Sequence, residues 1–185
     1  YYNSVIDKCL ARGVQPWITL YHWDLPQILE DQGGWTNRAI IQWFSEYVAV
    51  CAKHFGDRVK HWMVFNEPMA FTGLGYLSGQ HAPGKRGLSK FLKSVHYGSM
   101  CQAAGGRVVR DLVPNATIGT TFSCTAVEPV NPNKKRHVVA ARKADALFNR
   151  LFIEPSLGMG YPLDDLTVFK GIKKYIEPGD KEKLA

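Results

Sequence analysis

The sequence lacks the features that would assign it to several large classes of protein. No apolar run approaches the ~20 residues that a membrane-spanning helix needs, and no charged-then-apolar signal segment opens the chain. The four cysteines (Cys9, Cys51, Cys101 and Cys124) are far apart and form no C-x-x-C pair, so neither a zinc site nor a disulfide scaffold is indicated. Free thiols suit a reducing compartment, which favours the cytoplasm over secretion, and no membrane partner is expected.

Nucleic-acid binding is not indicated either, although the formal net charge is +7. The basic residues are spread along the chain, apart from small clusters at 134–136 and 173–174. No aromatic residues interleave with these clusters, as they would in a surface that stacks on bases. A solvated basic surface explains the charge, and nucleic acid is not an expected partner.

Motifs for several other chemistries are also missing. There is no G-x-S-x-G nucleophile motif and no phosphate-binding P-loop, and the stretch 73–79 has one residue too many for G-x-G-x-x-G. His54 and His61 are too far apart to form a zinc-binding pair on a helix. No metal is therefore expected, and no motif for a nucleotide cofactor is present.

What the sequence does contain is an alternation of short apolar runs with amphipathic stretches. The runs 15–21, about 60–65 and 116–121 favour strands, and helical spacing occurs in 2–12, 36–55, 89–112 and 134–152, with one more short helical stretch in the tail. This order predicts a parallel sheet with helices outside it, an α/β fold.

Glycines and capping residues indicate where several of these elements begin and end. Gly13 fits the C-terminal cap of the first helix, and Ser89 fits the N-terminal cap of the third. The pair Gly105-Gly106 is expected to interrupt that third helix, and 72–87 is expected to be a glycine-rich loop.

Polar residues follow each predicted strand at the point where the strand ends. His22 follows the first, Asn66 and Glu67 the second, and Ser123 the third. In a (β/α)8 barrel the active site is built from the C-terminal ends of the strands. A complete barrel takes about 250 residues, and only three strand–helix units are visible here. Residues 1–185 are therefore expected to form one partial barrel domain.

Glu67 stands out in the stretch HWMVFNEPMA, where a buried strand ends in Asn66-Glu67-Pro68. A lone Glu is usually a surface residue or a helix-end charge. Here Pro68 fixes the next backbone angle, and the apolar neighbours would desolvate the carboxyl group and favour its protonated form. Such a group suits general acid catalysis, including protonation of a glycosidic oxygen, and Asn66 beside it is suited to a sugar hydroxyl.

His22 and Trp23 end the preceding strand. A lone histidine at a strand end is more often a structural residue with its hydrogen bonds satisfied. Trp23, however, supplies a flat apolar face of the kind that binds the C–H surface of a sugar. The pair therefore favours a carbohydrate ligand modestly over a purely structural role.

These residues lie in a stretch that resembles the central region of family 1 glycoside hydrolases, the β-glucosidase family. The similar stretch reads ITLYHWDLPQILEDQGGWTNRAIIQWFSEYVAVCAKHFGDRVKHWMVFNEP, and HAPG at 81–84 and FIEPSLGMGYP at 152–162 also resemble the family. YHWDLP and FNEP at this spacing are highly specific. The resemblance covers nearly the whole chain and implies a (β/α)8 barrel of cofactor-free, retaining β-glycosidases, of which the three strands here would be the third to the fifth.

The resemblance also implies a role for individual residues. Glu67 is similar to the acid/base that ends the fourth strand of the family. Asn66 matches the residue that contacts the 2-hydroxyl of the sugar. His22 matches a residue that binds hydroxyls of the same sugar, and Trp23 lines that pocket. The expected ligand is therefore a β-glucoside or an oligosaccharide.

Two departures from the family pattern bear on these roles. The residue after Asn-Glu-Pro is often Trp and forms part of the aglycone site, whereas here it is Met69. The family nucleophile lies in an I/V-T-E-N-G motif near the seventh strand, and that motif does not occur in this sequence. The chain is therefore expected to be a segment of a retaining β-glucosidase that lacks the N-terminal strands and the C-terminal strands with the nucleophile. Alone, it is expected to be inactive.

Three alternatives remain open at this point. The first is another (β/α)8 glycosidase with Asn-Glu after its fourth strand, which YHWDLP argues against. The others are a non-catalytic carbohydrate-binding remnant and a purely structural fragment without a ligand. A homo-oligomer or a complementing chain is a further candidate partner.

Overall fold

The computed structural model describes residues 1–184 and contains a three-stranded parallel sheet. The strands are β1 (Trp17–Tyr21), β2 (His61–Asn66) and β3 (Thr117–Thr121), in the order β1-β2-β3. Trp17 lies opposite His61, and His61 lies opposite Thr117. The predicted parallel α/β arrangement is confirmed, and each strand lies beside the one before it, as in part of a (β/α)8 barrel.

Helices connect the strands and continue beyond β3. The α-helices are α1 (Tyr2–Leu10), α2 (Gln27–Asp31), α3 (Ile40–Phe55), α4 (Leu88–Leu112), α5 (Lys135–Asp145), α6 (Leu151–Ser156) and α7 (Asp180–Lys183). Short 3₁₀ segments span Gly34–Thr36 and Thr167–Tyr175, and π-helical segments span Ala70–Leu77 and Ala146–Arg150. The predicted helix over 134–152 is thus α5 followed by a π segment and α6.

The C-terminal end of α1 follows the predicted glycine chemistry. Gly13 has φ +70°, and the Val14 N–H donates to the Cys9 carbonyl at 2.9 Å while the Gly13 N–H donates to the Leu10 carbonyl at 3.0 Å. These two bonds form a Schellman motif, which needs the left-handed backbone that glycine adopts without strain.

The prediction of a glycine-rich loop over 72–87 is wrong for its first half, which is the π-helical segment. Phe71, Thr72 and Tyr76 are buried there. A Cβ added to Gly75 would lie 2.7 Å from the Ala82 carbonyl oxygen. The glycine therefore permits close backbone packing rather than a flexible loop.

The predicted interruption of the third helix is also wrong, because α4 runs unbroken through Gly105. A Cβ at Gly105 would lie 2.9 Å from Phe44 on α3 and 3.2 Å from Val64 on β2. The glycine lets α4 approach both elements closely, and this packing stabilises the helix that its propensity alone would weaken. Ser89 lies inside the first turn after Gly87, and its hydroxyl bonds to Tyr175 at 2.9 Å rather than capping the helix.

The core lies between the sheet and the helices α3 and α4. The apolar stripe of α3 contributes Ile40, Phe44, Val48 and Ala52, which are buried. Tyr47 belongs to the same stripe but stays 46% exposed, and its hydroxyl donates to the Leu20 carbonyl at 2.7 Å. A second apolar cluster forms where α4, α6 and the tail meet.

Candidate active site

The C-terminal edge of β2 carries the Asn-Glu pair. Asn66 is the last residue of the strand, and the Glu67 N–H still donates to the Thr121 carbonyl of β3 at 2.8 Å. The Glu67 carbonyl then accepts the Ala70 N–H at 2.8 Å, which turns the chain into the π-helical segment. Glu67 has φ +44°, a left-handed conformation that is costly for a residue with a side chain.

Trp23 joins the end of β1 to the end of β2. Its indole Nε1 donates to the Asn66 carbonyl at 2.8 Å, so the ring is fixed beside the Asn-Glu pair. Trp23 also has a left-handed backbone, with φ +78°. Within residues 1–184, three non-glycine residues have positive φ, and two of them, Trp23 and Glu67, are at this edge. Strain of this kind concentrates at functional sites.

Two histidines flank the Trp23 ring. His22 is exposed and meets Trp23 edge-on, with 5.2 Å between the ring centroids. His81 approaches Trp23 with 5.5 Å between the centroids. His81 was not among the predicted site residues, although it begins the HAPG motif, which was the sequence signal for it. The three rings form one aromatic group beside Asn66.

A buried polar network lies behind this edge and fastens the segment that carries His81. The Tyr76 hydroxyl donates to Glu30, and the Lys85 ammonium pairs with the same carboxylate. Burial, together with the hydrogen bond to Glu30, raises the pKa of Tyr76 well above its usual value. Glu30 is only 8% exposed. Sequence reasoning missed it because a Glu within a short amphipathic helix gives no signal that it is buried.

A groove of about 430 Å³ opens beside Glu67. Its walls come from the π-helical segment after β2, the segment after β3 and the π segment between α5 and α6, and its lining includes Glu67, Met69, Leu74, Leu77, Phe122, Ser123, Leu147, Phe148 and Asn149. Met69 and Ser123 thus share the groove with Glu67. His22 and Trp23 lie on the other side of the Asn-Glu pair and do not line it.

A larger cavity, about 880 Å³, lies between α6 and the tail and contains none of the predicted site residues. Arg150 in its wall is engaged by Asp145, Glu154 and Asp165. The acidic groups around Arg150 are used in these ion pairs, and the predicted site residues lie at the smaller groove. No cluster of three His, Cys, Asp or Glu side chains suited to a metal ion occurs within residues 1–184. Over the same residues, no helix has the length and apolar character needed to cross a membrane.

Comparison with known proteins finds one family along the whole chain. The model of glycosyl hydrolase family 1 matches residues 1–185. Beta-glucosidase A of Thermotoga maritima is 39% identical over 186 residues, covering 100% of this chain and 41% of the relative. Beta-glucosidase A of Acetivibrio thermocellus is 36% identical over 187 residues, with coverage of 100% and 41%.

Solved structures agree with these relatives. The psychrophilic beta-glucosidase BglU from Micrococcus antarcticus matches with a TM-score of 0.94 and 41% identity, over 100% of this chain and 39% of that one. The family 1 beta-glucosidase from Thermotoga maritima matches with a TM-score of 0.88 and 36% identity, over 99% and 40%. The chain thus spans about 40% of the length of the proteins it matches.

Proposed function

The chain belongs to glycosyl hydrolase family 1, and we propose that it is the central segment of a retaining β-glucosidase. The observation that carries the proposal is Glu67 at the C-terminal end of a parallel strand, beside Asn66 and the fixed ring of Trp23. The likeness of the whole chain to beta-glucosidases supports the same activity. The substrate is a β-glucoside, and its leaving group departs on the side of the groove.

Glu67 is the acid/base in this proposal. In the first step its carboxylic acid protonates the glycosidic oxygen as the bond to the sugar breaks. In the second step its carboxylate removes a proton from the water that releases the sugar. The half-buried position of Glu67, next to a groove open to solvent, suits a group that must exchange protons with both a leaving group and water.

Asn66, His22 and Trp23 bind the sugar that is released. Because the Trp23 N–H is already used by the Asn66 carbonyl, this residue offers the face of its ring rather than a hydrogen bond. The imidazole of His22 is exposed and accessible to hydroxyl groups. Met69 lies in the groove with Glu67, on the side of the leaving group.

The second carboxylate comes from outside this chain. A retaining glycosidase needs two carboxyl groups about 5–5.5 Å apart, whereas Glu67 is the one acidic residue of 1–184 that lines the groove. In this account residues 1–185 are a partial barrel domain holding its third to fifth strands, and the remaining strands of the protein supply the nucleophile. That the protein forms a homo-oligomer or binds a complementing chain remains a prediction. So does its location in the cytoplasm.

The stereochemistry of hydrolysis by the full-length protein tests the proposal. Proton NMR of an aryl β-glucoside during the first minutes of turnover should show β-glucose before mutarotation produces the α anomer. Initial release of α-glucose would indicate an inverting enzyme, and no turnover of any β-glycoside would contradict the proposed activity altogether.

A further inference from the structure

We propose that the buried ion pair between Glu30 and Lys85 positions the sugar-binding ring of Trp23. It does so by holding the segment 80–87, which carries His81, against that ring. The proposal rests on the proposed function in one respect, since it takes Trp23 as a surface that binds the sugar. It adds two positioning residues, which act through other side chains rather than by touching the substrate.

The segment 80–87 has few anchors of its own. Its residues are exposed except Lys85, which is half-buried. The backbone is tied to the π-helical segment at both ends, because the His81 N–H donates to the Leu74 carbonyl at 3.1 Å and the Gly87 N–H donates to the Leu77 carbonyl at 3.3 Å. Between these two bonds, the Lys85 side chain is the ionic anchor of the segment.

The partner of this anchor is an enclosed carboxylate. Glu30 is 8% exposed, and one of its oxygens accepts the Tyr76 hydroxyl. The other oxygen pairs with the Lys85 ammonium and has no further partner within residues 1–184. Gly34 passes so close that an added Cβ would collide with the carboxylate. Because a buried carboxylate without a counterion is strongly destabilising, Lys85 is held firmly at this position.

The same carboxylate is also connected to the end of β1. The Tyr76 hydroxyl, which donates to Glu30, accepts the Trp35 N–H at 3.4 Å, and the indole Nε1 of Trp35 donates to the Tyr21 hydroxyl at 3.1 Å. Burial raises the pKa of both tyrosines, so both phenols stay protonated. Tyr21 is the last residue of β1 and lies two positions before Trp23. The network therefore reaches the ring from two directions.

The Trp23 ring depends on such support because close packing does not fix it on every side. A cavity of about 170 Å³ is lined by both Trp23 and Glu30. The ring is held by its bond to the Asn66 carbonyl at 2.8 Å and by the His81 ring, with 5.5 Å between the centroids. Its backbone is left-handed, with φ +78°, which persists only where the surroundings enforce it. Loosening the segment that carries His81 should therefore let the ring shift.

The first test measures sugar binding by the full-length protein, using calorimetry with the glucose-like imino sugar 1-deoxynojirimycin. Glu30→Gln removes the charge but keeps an oxygen for Tyr76, and Lys85→Met removes the ammonium but keeps the length of the side chain. Each should weaken binding by severalfold to about 10²-fold, since a displacement of about 1 Å can cost about 10²-fold. Lys85→Arg, which keeps the charge, should retain most of the affinity. Asp7→Asn, which removes an exposed ion pair with Arg58, should bind as the wild type does.

Kinetics then distinguish positioning of the sugar from a defect in acid catalysis. In Glu30→Gln, kcat/KM should fall by the same factor for dinitrophenyl and methyl β-glucoside, because the sugar is common to both, whereas a weakened acid would spare the dinitrophenyl substrate. The loss caused by Glu30→Gln should be smaller in a His81→Ala background, because part of the effect passes through that ring. An equal loss in both backgrounds, or a loss that grows with the basicity of the leaving group, would overturn the proposal.

A second measurement needs neither turnover nor sugar and so separates this proposal from the proposed function. Amide hydrogen exchange of peptides covering 80–87 should be faster in Glu30→Gln and Lys85→Met than in the wild type or Asp7→Asn, while peptides of α4 exchange equally in all four proteins. Unchanged exchange of 80–87, or an equal increase in α4, would overturn the positioning role even in an active β-glucosidase. Faster exchange confined to 80–87, in a protein that neither binds the imino sugar nor hydrolyses β-glucosides, would support the anchor and refute the proposed function.

Discussion

At the scale of single residues, the sequence predicts which side chains reach the site better than how they are held there. Asn66 and Glu67 stand out because an apolar strand ends in them, and the structure places them at the C-terminal edge of the sheet. The bond from Trp23 to the Asn66 carbonyl joins residues 43 positions apart, and no local pattern predicts such a contact. Glu30 is missed for the same reason, since its partners Tyr76 and Lys85 lie far away along the chain.

Met69 provides a prediction at this scale. Met69 lies against Gly73, so in a Met69→Trp variant the larger ring must extend into the groove. In the full-length protein we expect KM for hexyl glucoside and cellobiose to change severalfold, and KM for methyl glucoside to change little, because a methyl group does not reach along the groove. Steady-state kinetics measure this, with Met159→Trp at an exposed residue outside the groove as control. Equal changes on all three substrates would show that position 69 does not face the leaving group.

At the scale of elements, the strands and the long helices follow the periodicity of the sequence. The wrong predictions of loops and helix breaks occur where a glycine permits close packing between elements. Gly105 and the glycines of the π segment look like breaks in a linear sequence. In the structure Gly105 lies where another element approaches the backbone closely. Tertiary packing overrides local propensity at such positions, and a single sequence does not reveal where two elements will touch.

The neighbouring glycines of α4 test this interpretation as a matched pair. Gly105→Ala places a methyl group 2.9 Å from Phe44, so the variant should lose about 1–3 kcal/mol of unfolding free energy. Gly106→Ala meets only Ile118, at 3.8 Å, so it should gain up to about 1 kcal/mol from the better helix propensity of Ala. Denaturant unfolding compares the two variants. A stabilised Gly105→Ala would show that the helices can move apart at no cost.

The tail is tied to the two long helices by a buried ionic network. Asp180 is fully buried and accepts hydrogen bonds from Arg38 just before α3, from His96 of α4 at 2.9 Å and from the Glu177 N–H at 2.8 Å. Tyr161 contacts the other ring nitrogen of His96 at 3.0 Å. Because a carboxylate only accepts, His96 donates through Nε2, and burial lowers the pKa of the imidazole, which favours its neutral form.

This network predicts how stability depends on pH. Burial and the nearby Arg38 lower the pKa of His96, although Asp180 and Glu177 favour the charged ring. Burial alone would raise the pKa of Asp180, but the hydrogen bonds from Arg38, Glu177 and His96 outweigh it and lower that pKa. Both groups therefore bind protons more readily in the unfolded chain, and their contributions to stability are lost as the pH falls.

The unfolding free energy should accordingly decrease as the pH falls below about 6.5, where unfolded His96 takes up a proton. A further decrease should begin below about 4, where unfolded Asp180 does so. Unfolding measured from pH 8 to 5 should show a shallower slope in His96→Gln, which keeps a neutral donor but does not titrate. A slope identical to that of the wild type would assign the effect to the other histidines.

At the scale of the whole molecule, the fold class and the family follow from the order of elements and from the YHWDLP and FNEP motifs, and both are confirmed. What the sequence leaves undecided is how the site is completed, because a barrel brings together side chains from strands far apart along the chain. Within residues 1–184, β1 and β3 each pair only with β2. The groove likewise contains a single carboxylate, Glu67.

The 185-residue chain alone should therefore not hydrolyse β-glucosides at an enzymatic rate. Without a second carboxylate beside Glu67, no covalent glycosyl intermediate can form. The rate at which the purified chain releases nitrophenol from a nitrophenyl β-glucoside should equal the spontaneous rate in buffer alone. Robust turnover without any complementing chain would show that the nucleophile lies within these residues.

The most direct test of the central claim, that Glu67 is the acid/base, is the Glu67→Ala variant of the full-length protein assayed with and without azide. A leaving group such as dinitrophenolate needs little protonation, whereas a sugar alkoxide depends on it. Cellobiose hydrolysis should fall by about 10²–10⁴-fold, while dinitrophenyl glucoside still forms the glycosyl-enzyme. Azide needs no general base and should restart turnover of this intermediate, giving β-glucosyl azide. A uniform loss on all leaving groups with no azide effect would indicate a structural role for Glu67, and an α-glucosyl azide product would identify Glu67 as the nucleophile instead.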